Sequence, residues 1–128
     1  MSMLVSTPIL AHLDAQSRAL LNATVALLVK NHAERIRAII LFGSVVRGEE
    51  RPLTDANPSD IDVLVIFENN NRLSLQERLA VTETVLQALD RYPNAPREVN
   101  VLFGTRTLHK WDASFVANVR HDGFLLYL

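Results

Sequence analysis

Two nearly continuous apolar runs, Ile36–Phe42 and Ile61–Phe67, constrain this chain more than any other feature. Each has the length of a strand, and the first carries so little polarity that it belongs at the centre of a sheet. Their ends are less ordinary. The first run stops at Gly43-Ser44, and the second opens on Asp60-Ile61-Asp62. Between them Gly48–Ser59 holds Pro52 and Pro58, has no apolar period, and reads as turn chemistry throughout. An irregular segment of that length in a small domain is usually functional or mobile.

Side chains alternate across a strand, so Asp60 and Asp62 project from one face. Like charges held that close repel unless a cation lies between them. The Gly43-Ser44 turn offers backbone N–H groups and a hydroxyl to an anion, with no large side chain in the way. Paired carboxylates for a hard divalent ion, beside a small-residue turn for phosphate, are the equipment of Mg²⁺–nucleotide chemistry.

The remaining elements follow from period and punctuation. Asp14 can cap a helix over Ala15–Asn31, whose Leu20, Leu21, Ala23, Val25, Leu27 and Leu28 form a broad buried face. Val45-Val46-Arg47 suits a short helical turn. Ser74-Leu75-Gln76-Glu77 is a capping box for a helix ending near Asp90, before Tyr92-Pro93, with Leu75, Leu79, Thr82, Leu86 and Leu89 expected inward. Glu98–Phe103 reads as a third strand. Thr107 would cap a last helix to about Arg120, with Leu108, Trp111, Phe115 and Val119 inward. After Gly123 the tail Phe124–Leu128 is too apolar to be free, so it forms an edge strand or meets a partner. The expected fold class is α/β (α+β), a small mixed sheet with packed helices in a single domain over residues 1–128.

Composition narrows the functions. Thirteen Lys and Arg against fourteen Asp and Glu give a net charge of -1, so no global basic field favours nucleic acid, and no basic stripe or base-reading aromatic platform is visible. Cysteine is absent, which excludes disulfides, zinc–thiolate sites and thiol catalysis. No run approaches the ~20 apolar residues that span a bilayer, and Met1–Leu13 lacks the basic flank of a signal peptide. The expected location is cytoplasmic, with no membrane partner. His12, His32 and His109 share no ligand spacing, and His121-Asp122 lacks the companions of a phosphohydrolase site, so a C-terminal turn is its reading.

Gly43-Ser44, a polar loop and Asp60-Ile61-Asp62 at the head of an apolar strand together resemble the signature of the nucleotidyltransferase superfamily that includes DNA polymerase beta. Arg47-Gly48-Glu49, the short length and the ending Asn118–Tyr127 are similar to the minimal nucleotidyltransferase (MNT) domains of prokaryotes. The resemblance covers Ile36–Leu128. It implies that Gly43 and Ser44 hold the triphosphate, that Arg47 clamps phosphate, and that Asp60 and Asp62 bind Mg²⁺, usually as two ions. It further implies transfer of a nucleoside monophosphate, AMP from ATP by analogy, to an acceptor hydroxyl. Family members this short work beside a helical HEPN-type partner, as the antitoxin of a toxin–antitoxin pair. An antibiotic-like small-molecule acceptor is a third option, needing a pocket built by a second subunit and hence a homo-oligomer.

One position departs from the pattern. The family's third carboxylate lies on the next strand between apolar neighbours, where this chain reads Val99-Asn100-Val101. Asn offers a carbonyl oxygen but no negative charge. Glu98, on the same strand face and about 7 Å away by the strand rise, either replaces that carboxylate or leaves a domain with weakened catalysis. The extreme of the second case is an inactive binding module that neutralises a partner by contact.

Each residue also has a mundane account. Gly43-Ser44 can be a strand-ending turn, Asp60 and Asp62 a solvated strand end, and Arg47 a surface ion pair with Glu49 or Glu50. Glu98 can be a solvated strand start and Asn100 a hydrogen-bonded residue at a sheet edge. None of these explains why the Gly-Ser turn and the Asp-x-Asp occur together.

Overall fold

The computed structural model describes residues 13–68, 73–105 and 123–127. Helix α1 spans Ala15–His32, and Asp14 caps it by accepting from the Ser17 N–H at 2.8 Å. Lys30 occupies its last turn, where a cation suits the carbonyl end of the helix. Strand β1 (Ile36–Phe42) leads through Gly43 into the one-turn helix α2 (Ser44–Arg47), and β2 covers Ile61–Phe67. Helix α3 (Leu75–Arg91) begins at the anticipated capping box: Ser74 and Glu77 each accept from the other's backbone N–H, at 3.1 and 3.0 Å. Strands β3 (Val99–Gly104) and β4 (Phe124–Tyr127) complete the order. The tail is thus an edge strand. The helix expected at 107–120, with Trp111 and Phe115, lies outside the described residues, as do His12, His109 and the turn at His121-Asp122.

The four strands lie in the order β3-β2-β1-β4. β1 runs antiparallel to both β2 and β4, while β2 and β3 are parallel and joined by the α3 crossover. One face of the sheet meets α1 and α3. Ile39, Leu41, Ile61, Val63, Val65, Phe67 and Val99 enter a common core with Leu20, Leu21, Val25 and Leu28 of α1 and Val81 and Ala88 of α3. Phe67 adds an edge-to-face contact with Phe103, their ring centroids 6.5 Å apart. By alternation, Asp62, Leu64 and Asn100 project from the opposite face.

Helix α3 does not present the leucine stripe inward. Leu75, Leu79 and Leu86 are 71%, 59% and 54% exposed, and the buried positions are Val81, Thr84 and Ala88. Only Leu89 of the expected set packs partly against the core. The physical reason is close approach. The smaller side chains let α3 lie against α1, where Thr84 Oγ1 meets His32 Nε2 at 2.8 Å and Asn31 Nδ2 at 3.4 Å. Among the described residues, no helix is long and apolar enough to cross a membrane.

Candidate active site

The antiparallel pairing of β1 with β2 sets Phe42 opposite Asp62, so the turn that ends one strand arrives beside the carboxylates that begin the next. The parallel pairing of β2 with β3 sets Asp62 opposite Asn100. Residues from three separate parts of the sequence therefore meet at one end of the sheet.

Gly43 is required there for two reasons. Its backbone has φ 88° and ψ −163°, a conformation essentially reserved for glycine. A Cβ at this position would stand 2.8 Å from Asp62 Oδ2, closer than a carbon and a carboxylate oxygen tolerate. The turn is anchored from below by Val45, which is fully buried. It closes at Gly48, left-handed with φ 70°, whose N–H bonds to the Ser44 and Val45 carbonyls. Ser44 opens α2 beside Gly43 and is partly exposed. Arg47 ends α2; its side chain lies outside the described part of the structure.

The carboxylates share one donor. Asn100 Nδ2 lies 2.9 Å from Asp60 Oδ2 and 3.4 Å from Asp62 Oδ1, so its amide turns the NH₂ group toward both acids. The opposite orientation would aim a carbonyl oxygen at two anions. Asp62 is half-buried, and burial pushes its carboxyl above the usual aspartate range; the Asn100 hydrogen bond opposes this, and the Asp60 charge adds to it. Glu98 precedes β3 and is exposed. Its backbone carbonyl accepts from Ile61 N–H at 2.8 Å, but its carboxylate takes no part in the hydrogen bonds joining Asp60, Asp62 and Asn100. Among the described residues, no group of three His, Cys, Asp or Glu side chains is placed to hold a metal ion.

Two residues that the sequence did not mark as important support this arrangement. Arg97 is 5% exposed; its guanidinium donates to the Ser59 carbonyl at 2.8 Å and faces Asp14 across 3.7 Å. Ser59 is buried as well, and its hydroxyl accepts from the Arg51 N–H at 2.7 Å. The peptide leading into Asp60 is therefore held from both sides. The loop before it is tied to itself, with Arg51 Nε donating to the Asn57 carbonyl at 2.6 Å and Asn57 N–H to Asp55 at 2.8 Å. Pro96 immediately before Arg97 is the only nearby sequence signal, and it does not distinguish a buried arginine from a solvated one.

The residues suit a divalent cation. Asp60 and Asp62 offer two hard oxygen donors that both reach the Asn100 amide, and the absence of a Cβ at Gly43 lets the Asp62 carboxylate lie close against the turn. Together with the small-residue turn, the arrangement can hold a cation and a polyphosphate side by side.

Comparison with known proteins gives a consistent picture. No curated protein sequence matches the chain. Among solved structures, a toxin–antitoxin complex determined with AMP-PNP aligns at a TM-score of 0.51 and 20% identity, over 81% of this chain and 70% of that one. The toxin–antitoxin MntA–HepT aligns at 0.45 and 21%, over 80% of this chain and 65% of that one. At such identities the first likeness carries the fold and the second adds nothing to it. The family model described as polymerase beta, nucleotidyltransferase matches residues 24–127, so the chain belongs to that family.

Proposed function

We propose that this protein is a Mg²⁺-dependent nucleotidyltransferase that moves a nucleoside monophosphate, AMP from ATP, to an acceptor hydroxyl on a helical HEPN-type partner protein, as the antitoxin of a toxin–antitoxin pair. The observation that carries this reading is the convergence of Gly43, Asp60, Asp62 and Asn100 from three sequence segments onto one end of the sheet. Membership of the nucleotidyltransferase family and a fold relative that is a toxin–antitoxin assembly determined with AMP-PNP support it.

In this reading Gly43 and Ser44 receive the triphosphate, the glycine by close backbone approach and the serine by its hydroxyl. Arg47, at the end of α2, serves as the phosphate clamp. Asp60 and Asp62 hold the cation, with the Asn100 amide beside them. When bound, the cation offsets the triphosphate charge and lowers the pKa of the acceptor hydroxyl. The acceptor oxygen bonds to the α-phosphorus, the α–β phosphoanhydride bond breaks, pyrophosphate leaves and the hydroxyl proton is released. Arg97 and Ser59 keep the start of β2 in place throughout.

Incubation with labelled ATP, Mg²⁺ and the helical partner tests the proposal. Label should pass to the partner with the wild type and be lost with Asp60→Asn or Asp62→Asn. Intact nucleotide binding without any transfer would remove the enzyme and leave a second reading, a binding module that neutralises its partner by contact. The observation favouring that second reading is Asn100, which sits where a third negative charge belongs in the family.

A further inference from the structure

We infer that Asn100 makes this a one-cation site, with the single divalent ion arriving on the nucleotide. The inference rests on the nucleotidyltransferase reading above and concerns how the site is charged. Two cations a few ångströms apart, as in two-metal phosphoryl-transfer sites, repel strongly and need several anionic ligands shared between them. Here the described residues supply two carboxylates and one neutral amide. Asn100 lies directly opposite Asp62 in the β2–β3 register, with its nitrogen within hydrogen-bond reach of both acids, so it occupies the position from which a third carboxylate would contact the same ions. Among the described residues no other acid compensates: Glu98 is exposed and outside the hydrogen-bonded group, and no third carboxylate or imidazole joins the pair.

The amide has a second effect. Its NH₂ group serves as a neutral donor to two anions, relieving part of the repulsion that a bare pair would suffer. An ion that comes with a triphosphate brings most of its own counter-charge and needs little more than Asp60 and Asp62. An ion that must be held by the protein's carboxylates alone loses the ligand charge it depends on. The chain therefore retains the first and forgoes the second.

Counting Mn²⁺ bound to the whole protein at saturating AMP-PNP, by electron paramagnetic resonance of the free ion, tests this directly. The wild type should take up one Mn²⁺ per chain. Asn100→Asp should take up two, and should melt below the wild type in EDTA but recover when Mn²⁺ is added. Asn100→Ser, which removes the amide without adding charge, should stay at one. With Mg²⁺ and ATP, Asn100→Asp should raise transfer at least tenfold. Two ions on the wild type, or one on a folded Asn100→Asp protein, would overturn the inference while leaving the nucleotidyltransferase reading intact. Failure of every protein to bind AMP-PNP would instead overturn the underlying reading and this inference with it.

Discussion

Gly43 shows how little freedom the site allows at a single residue. Its positive φ and the 2.8 Å approach of a would-be Cβ to Asp62 Oδ2 act independently, and both exclude every other side chain. Gly43→Ala should cost about 1–3 kcal/mol of stability, the scale of a strained backbone. It should also weaken nucleotide binding, because relief of the clash must move either the turn or the carboxylate. Denaturant unfolding measures the first effect and calorimetry the second. The placement of Gly43, Ser44, Asp60 and Asp62 together was legible in the sequence because each stands where an apolar strand ends or begins. Arg97 was not. A buried arginine is defined by what it touches, here the Ser59 carbonyl and Asp14, and both contacts span sequence separations that no local pattern encodes.

At the scale of elements, local signals served well and one packing choice did not follow from them. The caps at Asp14 and Ser74, the turn at Gly43-Ser44 and the apolar strands formed where expected, because each depends on a few neighbouring residues. Helix α3 carries two stripes, a large one of leucines and a small one of Val81, Thr84 and Ala88, and periodicity alone does not say which turns inward. The small stripe packs. Leu79→Gln and Leu86→Gln should accordingly change stability by no more than about 0.5 kcal/mol, whereas Val81→Asn, placing an amide in the core, should cost more than about 2 kcal/mol. Equal losses at the two kinds of position would refute the observed orientation of the helix.

The same helix pair has a pH-sensitive contact. Burial, and secondarily the Arg35 charge, lower the pKa of His32 from its ordinary 6.5, and its ring meets Thr84 across the α1–α3 interface. A histidine depressed in the folded state binds its proton more readily when unfolded. Its contribution is therefore complete above pH 6.5 and is lost as pH falls from there through the folded-state value. Chemical denaturation from pH 7.5 to 5.5 should show the wild type losing stability relative to His32→Asn. Parallel curves would contradict the assignment.

For the whole molecule, the decisive geometry is long-range. Among the described residues the order of helices and strands was legible from the sequence, but the site depends on which strands pair and in what register. Antiparallel β1–β2 pairing brings the Gly-Ser turn to Asp62, and the α3 crossover returns the chain so that parallel β3 delivers Asn100. Sequence pattern supplied Asn100 as a candidate; only the register shows it bonded to both acids while Glu98 stands aside. The central claim is that this junction is a cation-dependent nucleotide site. Calorimetric titration of ATP into the wild type, with and without Mg²⁺, and into the Asp60→Asn/Asp62→Asn double variant tests it most directly. The account predicts Mg²⁺-dependent binding to the wild type that is lost in the folded double variant. Equal binding by both proteins, or no dependence on Mg²⁺, would contradict it.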